Sequence, residues 1–400
     1  MKSIRQVYKR GRGPSSSHTM GPEKAASMVL MECPDAERYS VTLYGSLAKT
    51  GRGHKTDEAI KNVLAPMPTE IIFNTDQSIE LPHENTMDFV AFKNGSEVLR
   101  RRYLSIGGGD VLLDGEAPRP DEEVYPVNSF AEIAAYCKEH NIRLSEYVRR
   151  CEDESFFEFL SGIWDSMQQT ILEGLSKTGV LHGGLGVSRR AQQLMNQRHM
   201  DESQTTYENR TVCAYAFASS EENADGGRIV TAPTCGSCGV VPAVLKYYKD
   251  EKGFKDKAIL NALAVGGLIG ALVKTNASVS GAECGCQAEI GTACAMAAAA
   301  LGELCGMGID QIEYAAEIAI EHHLGLTCDP IYGLVQIPCI ERNAVAAMRA
   351  INAVTLANFL TFTRKISLDL AIETMYETGR DMNRSYRETS DGGLAKLYKK

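Results

Sequence analysis

Two groups of cysteines in the second half of the chain are placed where they could hold a metal centre. The first group begins Cys-Gly-Cys-Gln-Ala-Glu at 284–289, and the second contains Cys-Asp-Pro at 328–330 and Ile-Pro-Cys at 337–339. Cys286 and Cys339 stand where helices are predicted to begin. Because a helix N-terminus lowers the pKa of a thiol, both positions favour the thiolate that binds metal.

Two prolines should shape the loop between the last two of these cysteines. Pro330 and Pro338 disfavour helix in the residue before each, so Cys328 and Cys339 should bracket a stiff loop that presents both sulfurs inward. The competing interpretation of any single cysteine is a small buried hydrophobic residue. The spacing matches neither a zinc ribbon nor a ferredoxin, so spacing alone does not name the metal.

Four further cysteines are interpreted as packing residues. Cys294 and Cys305 fall inside a predicted Ala-rich helix, where a buried side chain is favoured. Cys235 and Cys238 form a C-x-x-C pair, which could be a redox pair or half of a metal site. Because no βαβ pattern surrounds this pair, we predict that it also packs in the interior.

A histidine near the N-terminus could act as a base. His18 lies in Ser-Ser-Ser-His-Thr at 15–19, between Pro14 and Pro22 and before a helix predicted from Glu23 to Glu32. Such a loop presents free N–H groups and hydroxyls, which suit a carboxylate or a phosphate. The helix dipole favours the neutral imidazole, which is the form that accepts a proton. On composition alone, a solvated turn residue is the competing interpretation.

These motifs together resemble the iron–sulfur-dependent L-serine dehydratases, also called L-serine ammonia-lyases. The shared signatures are Gly-Cys-Gln-Ala-Glu, Cys-Asp-Pro followed by Gly-Leu-Val-Gln-Ile-Pro-Cys, and Gly-Pro-Ser-Ser-Ser-His-Thr. A further match is Tyr-Gly-Ser-Leu followed by Gly-His-Lys-Thr-Asp, which contains His54. The resemblance extends from Gly13 to Ala395. It implies a single-chain enzyme of this family.

The resemblance implies which cysteines hold the cluster. Cys286, Cys328 and Cys339 fall on the family's ligands of a [4Fe-4S] cluster, whereas Cys284 falls where the family usually has a non-ligand. Members of one subtype end, shortly after Gly-Gly-Leu-Ala, with a cysteine that reaches into the active site. This chain continues after Ala395 with Lys-Leu-Tyr-Lys-Lys, so we expect that contact to be absent here.

The resemblance also implies which residues act on the substrate. His18 is the expected catalytic base, with His54 as the next candidate. The residues expected to bind the substrate are Ser15, Ser16, Ser17, Thr19, Asn223, Thr234, Asn276 and Ser280.

The implied reaction is the deaminating dehydration of L-serine to pyruvate and ammonia, with the open iron as Lewis acid and without pyridoxal phosphate. Two alternatives remain open. A cluster-dependent L-cysteine desulfidase shares the helical half in outline, but the Ser-Ser-Ser-His-Thr segment argues against it. A non-catalytic metal or redox sensor would not need His18 and His54, or the loops that carry Asn223 and Ser280.

Composition is that of an ordinary globular protein, with 44% hydrophobic and 23% charged residues among 400. The net charge of −9 argues against a nucleic-acid surface. Twelve cysteines without a secretory leader are typical of reduced thiols. The longest apolar run, 262–273, is shorter than the roughly 20 residues that span a bilayer. We therefore expect a cytoplasmic protein without nucleic-acid or membrane partners. Separately, we expect a homodimer.

The pattern of elements predicts an α+β N-terminal domain followed by a nearly all-α domain that carries the cluster. The α+β domain should cover residues 1–117, a Pro- and acid-rich linker 118–128, and the helical domain 129–400. Predicted strands are 39–47, 70–73, 87–92 and 96–103, and a helix is predicted from Asp57 to Leu64. In the second domain, the first helix is predicted to begin at a capping box at Ser129 and to end at Gly179. Further helices are predicted at 188–199, 240–250, 256–274, 287–304, 309–323, 339–362 and 367–380.

Overall fold

A computed structural model describes residues 1–76, 78–116, 123–197, 201–360 and 363–398. It contains an α/β part with a five-stranded sheet, followed by a mostly helical part. The predicted fold class is confirmed at this level. Part of the predicted linker, 118–122, lies outside the described residues, and the division into domains at 117 and 129 stays a prediction.

The α/β part consists of one sheet, a further short strand and three helices. The sheet has the order β3-β2-β4-β5-β6, in which β2 and β3 are parallel and the other neighbours are antiparallel. In chain order the elements are β1 (Arg10–Arg12), α1 (Gly21–Glu32), β2 (Arg38–Leu43), α2 (Gly45–Thr50), α3 (Thr56–Leu64), β3 (Thr69–Phe73), β4 (Thr86–Lys93), β5 (Ser96–Gly107) and β6 (Asp110–Leu113).

Alternation along the strands explains why helices cover one face of this sheet. Tyr39, Val41 and Leu43 of β2 are buried, and they share one face because side chains of a strand alternate between its two sides. They form one hydrophobic core with apolar side chains of α1 and α3. This core fixes the N-terminus of α1, and with it the Ser-rich segment that precedes the helix.

The helical part begins at Phe130 and supplies most of the remaining structure. This part has, among its described residues, one strand, β7, which pairs antiparallel with β1 and so ties the N-terminal segment to the helices. Its elements are α4 (Phe130–Glu139), α5 (Leu144–Cys151), α6 (Phe156–Ser176), α7 (Ala191–Asn196), α8 (Gln204–Ala224), β7 (Arg228–Val230), α9 (Val240–Lys252), α10 (Asp256–Asn276), α11 (Gly281–Cys284), α12 (Thr292–Leu304), α13 (Ile309–Glu321), α14 (Cys339–Leu360), α15 (Leu368–Asp381) and α16 (Gly393–Leu397).

Small residues let the central helices approach closely. Every residue of α12 is buried, and this helix packs along α10. A Cβ placed on Gly266 of α10 would lie 2.8 Å from the carbonyl oxygen of Met296, so a larger residue would push the helices apart. A Cβ on Gly267 would lie 2.3 Å from Ile4, because the N-terminal residues dock on the same helix. The N-terminal segment therefore packs in the helical core.

The helix α10 is the one described helix that is long and apolar enough to cross a membrane by length and composition. Of its most apolar window, 72% is buried inside the protein, as in the core helix of a soluble protein. Length and composition alone are therefore weak evidence for a membrane span. The helix is longer than the apolar run 262–273 that the sequence analysis singled out.

Several element boundaries differ from the sequence predictions. The strand predicted from 39 to 47 ends at Leu43, because Gly45, with a φ of +53°, turns the chain into α2. The single helix predicted from Ser129 is divided into α4, α5 and α6, although the capping contact is present, since Ser129 Oγ accepts from the backbone of Glu132 at 3.2 Å. Only Ala191–Asn196 of the predicted helix 188–199 is helical, and 198–199 lie outside the described residues.

The 21-residue helix α8 was missed, and its last turn, Glu221 to Ala224, was predicted as a loop. The reason lies in its buried side chains. They include Ser219, Ser220, Glu222 and Asn223, so the helix lacks the apolar repeat on which the prediction depends.

Candidate active site

The Ser-rich segment forms a tight turn in front of α1. Residues Ser16–Met20 wind as one π-helical turn, and Ser15 Oγ caps it by accepting from the backbone N–H of His18 at 3.1 Å. Thr19 Oγ1 donates to the carbonyl of His54 at 2.7 Å. The turn is thereby tied to the segment before α3, and the two imidazole rings lie 4.4 Å apart between centroids.

Both ring nitrogens of His18 have hydroxyl partners. Nε2 lies 3.0 Å from Ser46 Oγ, and this hydroxyl donates its hydrogen to the carbonyl of Glu388 at 2.7 Å. His18 Nε2 must therefore carry the ring hydrogen and donate to Ser46. Nδ1 is left as an acceptor, 2.9 Å from Ser17 Oγ and 3.5 Å from Glu388 Oε1.

His54 has the opposite tautomer and presents a free nitrogen. Its Nδ1 lies 3.1 Å from the carbonyl oxygen of Thr50, which can only accept, so Nδ1 carries the hydrogen. Nε2 is buried, has no hydrogen-bond partner among the described residues, and lies 3.7 Å from Glu388 Oε1. Burial lowers the pKa of His54 to about 4. Burial, with a smaller effect of His54, lowers the pKa of His18 well below its ordinary value.

A carboxyl group from the C-terminal segment completes this group. Glu388 is buried, its Oε1 faces both imidazoles, and its Oε2 has no hydrogen-bond partner in the described chain. Its backbone N–H donates to the carbonyl of Cys328 at 2.8 Å, which brings the C-terminal segment to the histidines. Burial raises the pKa of Glu388, and Glu289 raises it further. One atom from each of His18, His54 and Glu388 lies within 4.8 Å of the other two, so the group could also hold a metal ion.

The three predicted cluster cysteines come from three different segments of the chain. Cys286 precedes the helical turn that leads into α12, Cys339 is the first residue of α14, and Cys328 lies in the loop paired with the C-terminal segment. Cys286 and Cys328 are buried, and Cys339 is partly buried. In addition to burial, Cys286 and Cys339 raise the pKa of Cys328, Cys286 raises that of Cys339, and Glu388 acts on both Cys328 and Cys339, so these groups lie in the same region of the protein.

Burial raises the pKa of all three thiols, of Cys286 to about 11 and of the other two well above their ordinary range. Glu388 raises the pKa of Cys328 further, and Cys286 that of Cys339. The lowering expected from the helix N-termini is therefore not met, because burial outweighs it. Burial disfavours a lone thiolate, whereas a bound metal stabilises it.

Arg342 supplies positive charge beside these cysteines. Its Nη1 donates to the carbonyl of Thr327 at 2.6 Å, and its Nη2 lies 3.4 Å from Asp329 Oδ1, so it spans the loop around Cys328. Although burial alone would lower it, the pKa of Arg342 is raised by the three cysteines. The guanidinium is thus close enough to balance thiolate charge.

Other cysteines are held by packing. Cys284 lies against α15, since a Cβ placed on Gly379 would be 2.7 Å from its Sγ. Burial raises the pKa of both thiols of the C-x-x-C pair, Cys235 and Cys238, and Cys235 Sγ lies 3.3 Å from Met20 Sδ.

Two cysteines were predicted as buried residues inside the Ala-rich helix. Cys294 is buried in α12 as predicted. The prediction of a buried Cys305 inside that helix is wrong: it is exposed, because α12 ends at Leu304 and Gly306 turns the chain with a φ of +75°.

Most residues predicted to bind the substrate are buried in or beside this group. Ser15, Ser16, Ser17 and Thr19 form the turn around His18. Asn223 Nδ2 donates to the carbonyl of Pro14 at 2.8 Å, and Asn223 Oδ1 has no hydrogen-bond partner among the described residues. Ser280 Oγ also has no described partner. Thr234 Oγ1 donates to Glu289 Oε1 at 2.7 Å.

Asn276 lies apart from the site. Its side chain is exposed at the end of α10, where its amide donates to the carbonyls of Asn128 at 2.7 Å and Leu272 at 3.1 Å. The prediction that Asn276 binds substrate receives no support from these contacts.

Four residues of the site were not predicted: Ser46, Glu289, Arg342 and Glu388. Glu289 stands in the recognised Gly-Cys-Gln-Ala-Glu motif, and Ser46 in the Tyr-Gly-Ser-Leu motif, so motif membership could have indicated both. Arg342 lies one turn after Cys339 in α14, a spacing that puts it on the same helix face. Nothing local in the sequence around Glu388 indicates that this acid is buried.

Comparison with known proteins agrees with the motifs. The family model of the serine dehydratase alpha chain matches residues 52–395, and that of the serine dehydratase beta chain matches residues 3–69. The chain is 42% identical to L-serine dehydratase 1 and 41% identical to L-serine dehydratase 2 of Escherichia coli, and 40% identical to an L-serine dehydratase of Streptomyces coelicolor. Each similarity covers 98% or more of this chain and of the relative.

Proposed function

This chain belongs to the serine dehydratase family, and we propose that it is a lyase that converts L-serine to pyruvate and ammonia. The observation that carries the proposal is the similarity to L-serine dehydratases over almost the whole length of both proteins. The geometry supports it, because the Ser-rich turn, two neutral imidazoles and three cysteines lie together in one buried site.

We propose that Cys286, Cys328 and Cys339 hold a [4Fe-4S] cluster. The chemistry of the donor set fits: three thiols without disulfide partners, close enough to influence one another, beside a compensating guanidinium. The backbone approaches this region closely, since a Cβ on Gly281 would lie 2.7 Å from Glu289 Oε2 and 3.2 Å from Cys328 Sγ. Three protein ligands leave one iron free, and when bound the cluster supplies a Lewis acid for the departing β-hydroxyl group.

The base that removes the Cα proton of serine is one of the two histidines. The sequence favours His18, but both of its ring nitrogens already have hydroxyl partners. His54 Nε2 is a bare acceptor held in place by the bond from Nδ1 to Thr50, and burial keeps it neutral. We therefore assign the role of the base to His54. His18 is then a second imidazole, which orients the turn through its contacts with Ser17 and Ser46.

The Ser-rich turn is suited to hold the substrate carboxylate. The backbone N–H groups of Ser16 and Ser17 begin the turn and have no partner within it, and the hydroxyls of Ser15, Ser16 and Ser17 accompany them. Asn223 Oδ1 and Ser280 Oγ, which lack described partners, are further candidates for polar contacts with the substrate. A fixed carboxylate next to His54 would orient the Cα–H bond toward Nε2.

The reaction then balances without pyridoxal phosphate. His54 takes the Cα proton, the electron pair of that bond forms the Cα–Cβ double bond, and hydroxide leaves Cβ. The released aminoacrylate tautomerises to the imine of pyruvate, and water hydrolyses it to pyruvate and ammonia. Burial of His54 and Glu388 excludes bulk water from the deprotonation step.

A substrate panel tests this proposal. Anaerobically purified protein should form pyruvate and ammonia from L-serine in equal amounts, and should release little or no sulfide from L-cysteine. Sulfide release as the main activity would instead indicate an L-cysteine desulfidase. A protein that binds iron and turns over neither amino acid would support the sensor interpretation. Including L-threonine measures the substrate preference.

We also propose that the enzyme is a cytoplasmic homodimer that acts without nucleic-acid or membrane partners. The charge and the cysteine usage support the location and the absence of nucleic-acid partners, whereas the dimer is proposed without support from composition. Light scattering on the purified holoenzyme gives the mass of the particle, and a mass of one chain or of four chains would contradict the dimer.

A further inference from the structure

Two hydrogen-bond acceptors face each other at the centre of the site without a donor between them. His54 Nε2 is bare because the ring hydrogen is on Nδ1, and it lies 3.7 Å from Glu388 Oε1. Both atoms only accept when Glu388 is ionised, as does Glu388 Oε2, for which the described chain offers no donor. A proton on Glu388 can relieve this arrangement, whereas the ionised carboxylate needs a donor from a ligand.

Glu388 also lacks a cationic partner from the protein. Its side chain is buried, and no lysine or arginine of the described ranges lies within ion-pair distance of it; its partners at that distance are the two imidazoles. A buried carboxylate without a counter-charge is costly, so folding alone does not account for an acid at this position. A ligand that brings both positive charge and N–H donors would satisfy it.

We propose that Glu388 binds the α-ammonium group of the amino-acid substrate, an inference that rests on the proposed function. An ammonium group carries the positive charge and the three N–H donors that the site lacks. In an amino acid the ammonium nitrogen is bonded directly to Cα, about 1.5 Å away. Two acceptors 3.7 Å apart can therefore face the two neighbouring atoms of one substrate, Glu388 the ammonium group and His54 Nε2 the Cα–H bond.

The position of Glu388 is set by the fold. Its backbone N–H donates to Cys328 at 2.8 Å and its carbonyl accepts from Ser46 Oγ at 2.7 Å, so the segment is held from both sides. Since Cys328 is a proposed cluster ligand, the same bridge sets the distance between the ammonium group and the leaving hydroxyl. Glu388 would thus hold a third group of the substrate, in addition to the carboxylate and the hydroxyl group.

Two ligands that differ in the amino group test the inference. D-Serine and 3-hydroxypropanoate share the hydroxyl and the carboxylate, but 3-hydroxypropanoate has no ammonium group. Their affinities are measured anaerobically by calorimetry on the holoenzyme, for wild type and for Glu388→Gln, which keeps the shape of the side chain and removes its charge. Cluster content is checked for each variant by absorbance and iron count. Asp391→Asn is the matched control, since Asp391 lies in the same segment but pairs with Lys49 away from the histidines.

A charge-assisted hydrogen bond predicts a selective loss. Glu388→Gln should weaken the binding of D-serine by about 10- to 100-fold and change the affinity for 3-hydroxypropanoate by less than about 3-fold. Asp391→Asn should bind both ligands as wild type does. Equal weakening of both ligands by Glu388→Gln, or no weakening of D-serine, would overturn the inference. So would wild-type binding of D-serine that requires an added divalent metal, because the three groups would then form a metal site.

A crystal structure of the wild-type holoenzyme with D-serine tests the same point if Glu388→Gln does not fold or bind the cluster. The amino nitrogen should lie within hydrogen-bond distance of Glu388, about 2.7–3.2 Å. An amino nitrogen bound elsewhere contradicts the inference. Pyruvate formation from L-serine by the wild-type enzyme separates the two proposals. If pyruvate forms but the binding experiment is negative, only the role of Glu388 is wrong. If no pyruvate forms, the proposed function is wrong.

Discussion

The two imidazoles of the site differ in which nitrogen is free, and this difference predicts different effects of the same substitution. His54→Asn should lower kcat by about 10²- to 10⁴-fold, because it removes the general base, while the cluster stays bound. It should also stop exchange of deuterium from the Cα position of labelled serine. His18→Asn should retain exchange, and His140→Asn, at an exposed site, should behave as wild type. Loss of exchange in His18→Asn alone would make His18 the base.

The pH dependence of turnover follows from the same residue. Burial lowers the pKa of His54 to about 4. The neutral imidazole is the form that accepts a proton, so the activity that depends on it is lost as the pH falls through that value. Turnover on anaerobic holoenzyme should therefore change little between about pH 6 and 8 on account of this group, and should fall only at more acidic pH. A single ionisation at or above the ordinary histidine value of about 6.5 would contradict the assignment.

Single residues of the site were predictable from the sequence where a local motif carries them. His18 and the serines around it stand in one short motif, and the turn forms from hydrogen bonds within that motif. Glu388 was not predictable, because it reaches the histidines through a pairing with Cys328, 60 positions away in the chain. Asn276 was assigned to the site by resemblance of its loop, but it caps α10 at the surface instead.

The elements that carry the cysteines give a second test. Cys286→Ala, Cys328→Ala and Cys339→Ala should each lose most of the iron and the visible absorbance, because each removes one of the three cluster ligands. Cys235→Ala and Cys238→Ala are the matched controls and should keep both, since these thiols are packed in the interior. Retention of the cluster in any of the first three variants, or its loss in both controls, would contradict the ligand assignment.

The close packing of α10 predicts a stability effect. Gly267→Ala should destabilise the protein by about 1–3 kcal/mol, because the added Cβ would lie 2.3 Å from Ile4 and displace the N-terminal segment. Gly308→Ala is the control, since the nearest atom to its Cβ would be 3.7 Å away. Urea unfolding measures both. Equal stability of the two variants would show that the N-terminal segment does not pack on α10 in solution.

Elements with a regular apolar pattern were predictable, and those without it were not. The helices α10 and α15 follow the predicted ranges closely, because their apolar residues recur at helical spacing. The helix predicted at 287–304 is divided into a π-helical turn, Gln287–Gly291, and α12. The helix α8 was missed because its buried face carries serine, glutamate and asparagine. From the sequence, such a polar stretch is predicted as a loop. In the structure, this face of α8 lies next to the site.

In the whole molecule, both ends of the described chain cross between the two parts. The N-terminal residues pack in the helical core before the chain enters the sheet, and the segment around Glu388 returns from the helical part to the histidines of the α/β part. The site is therefore assembled from segments that are distant in sequence. This explains why the family motifs predicted the function, while the arrangement of the site required the structure.

The whole molecule also determines how the enzyme should respond to air. An iron without a protein ligand is exposed to oxidants, so air should remove activity and visible absorbance together. The protein itself should stay folded, because Cys286 and Cys328 are only two of the many buried residues in its large helical core. Circular dichroism before and after exposure checks this point. Colourless protein that still deaminates serine in air would be inconsistent with a cluster enzyme.

The most direct measurement follows pyruvate formation and cluster content in the same samples. Anaerobic holoenzyme is treated with increasing amounts of an iron chelator, and each sample is analysed for iron, sulfide and the initial rate with L-serine. The rate should fall in proportion to the [4Fe-4S] content and return on reconstitution with iron and sulfide. An unchanged rate of pyruvate formation in protein that contains no iron would contradict the account.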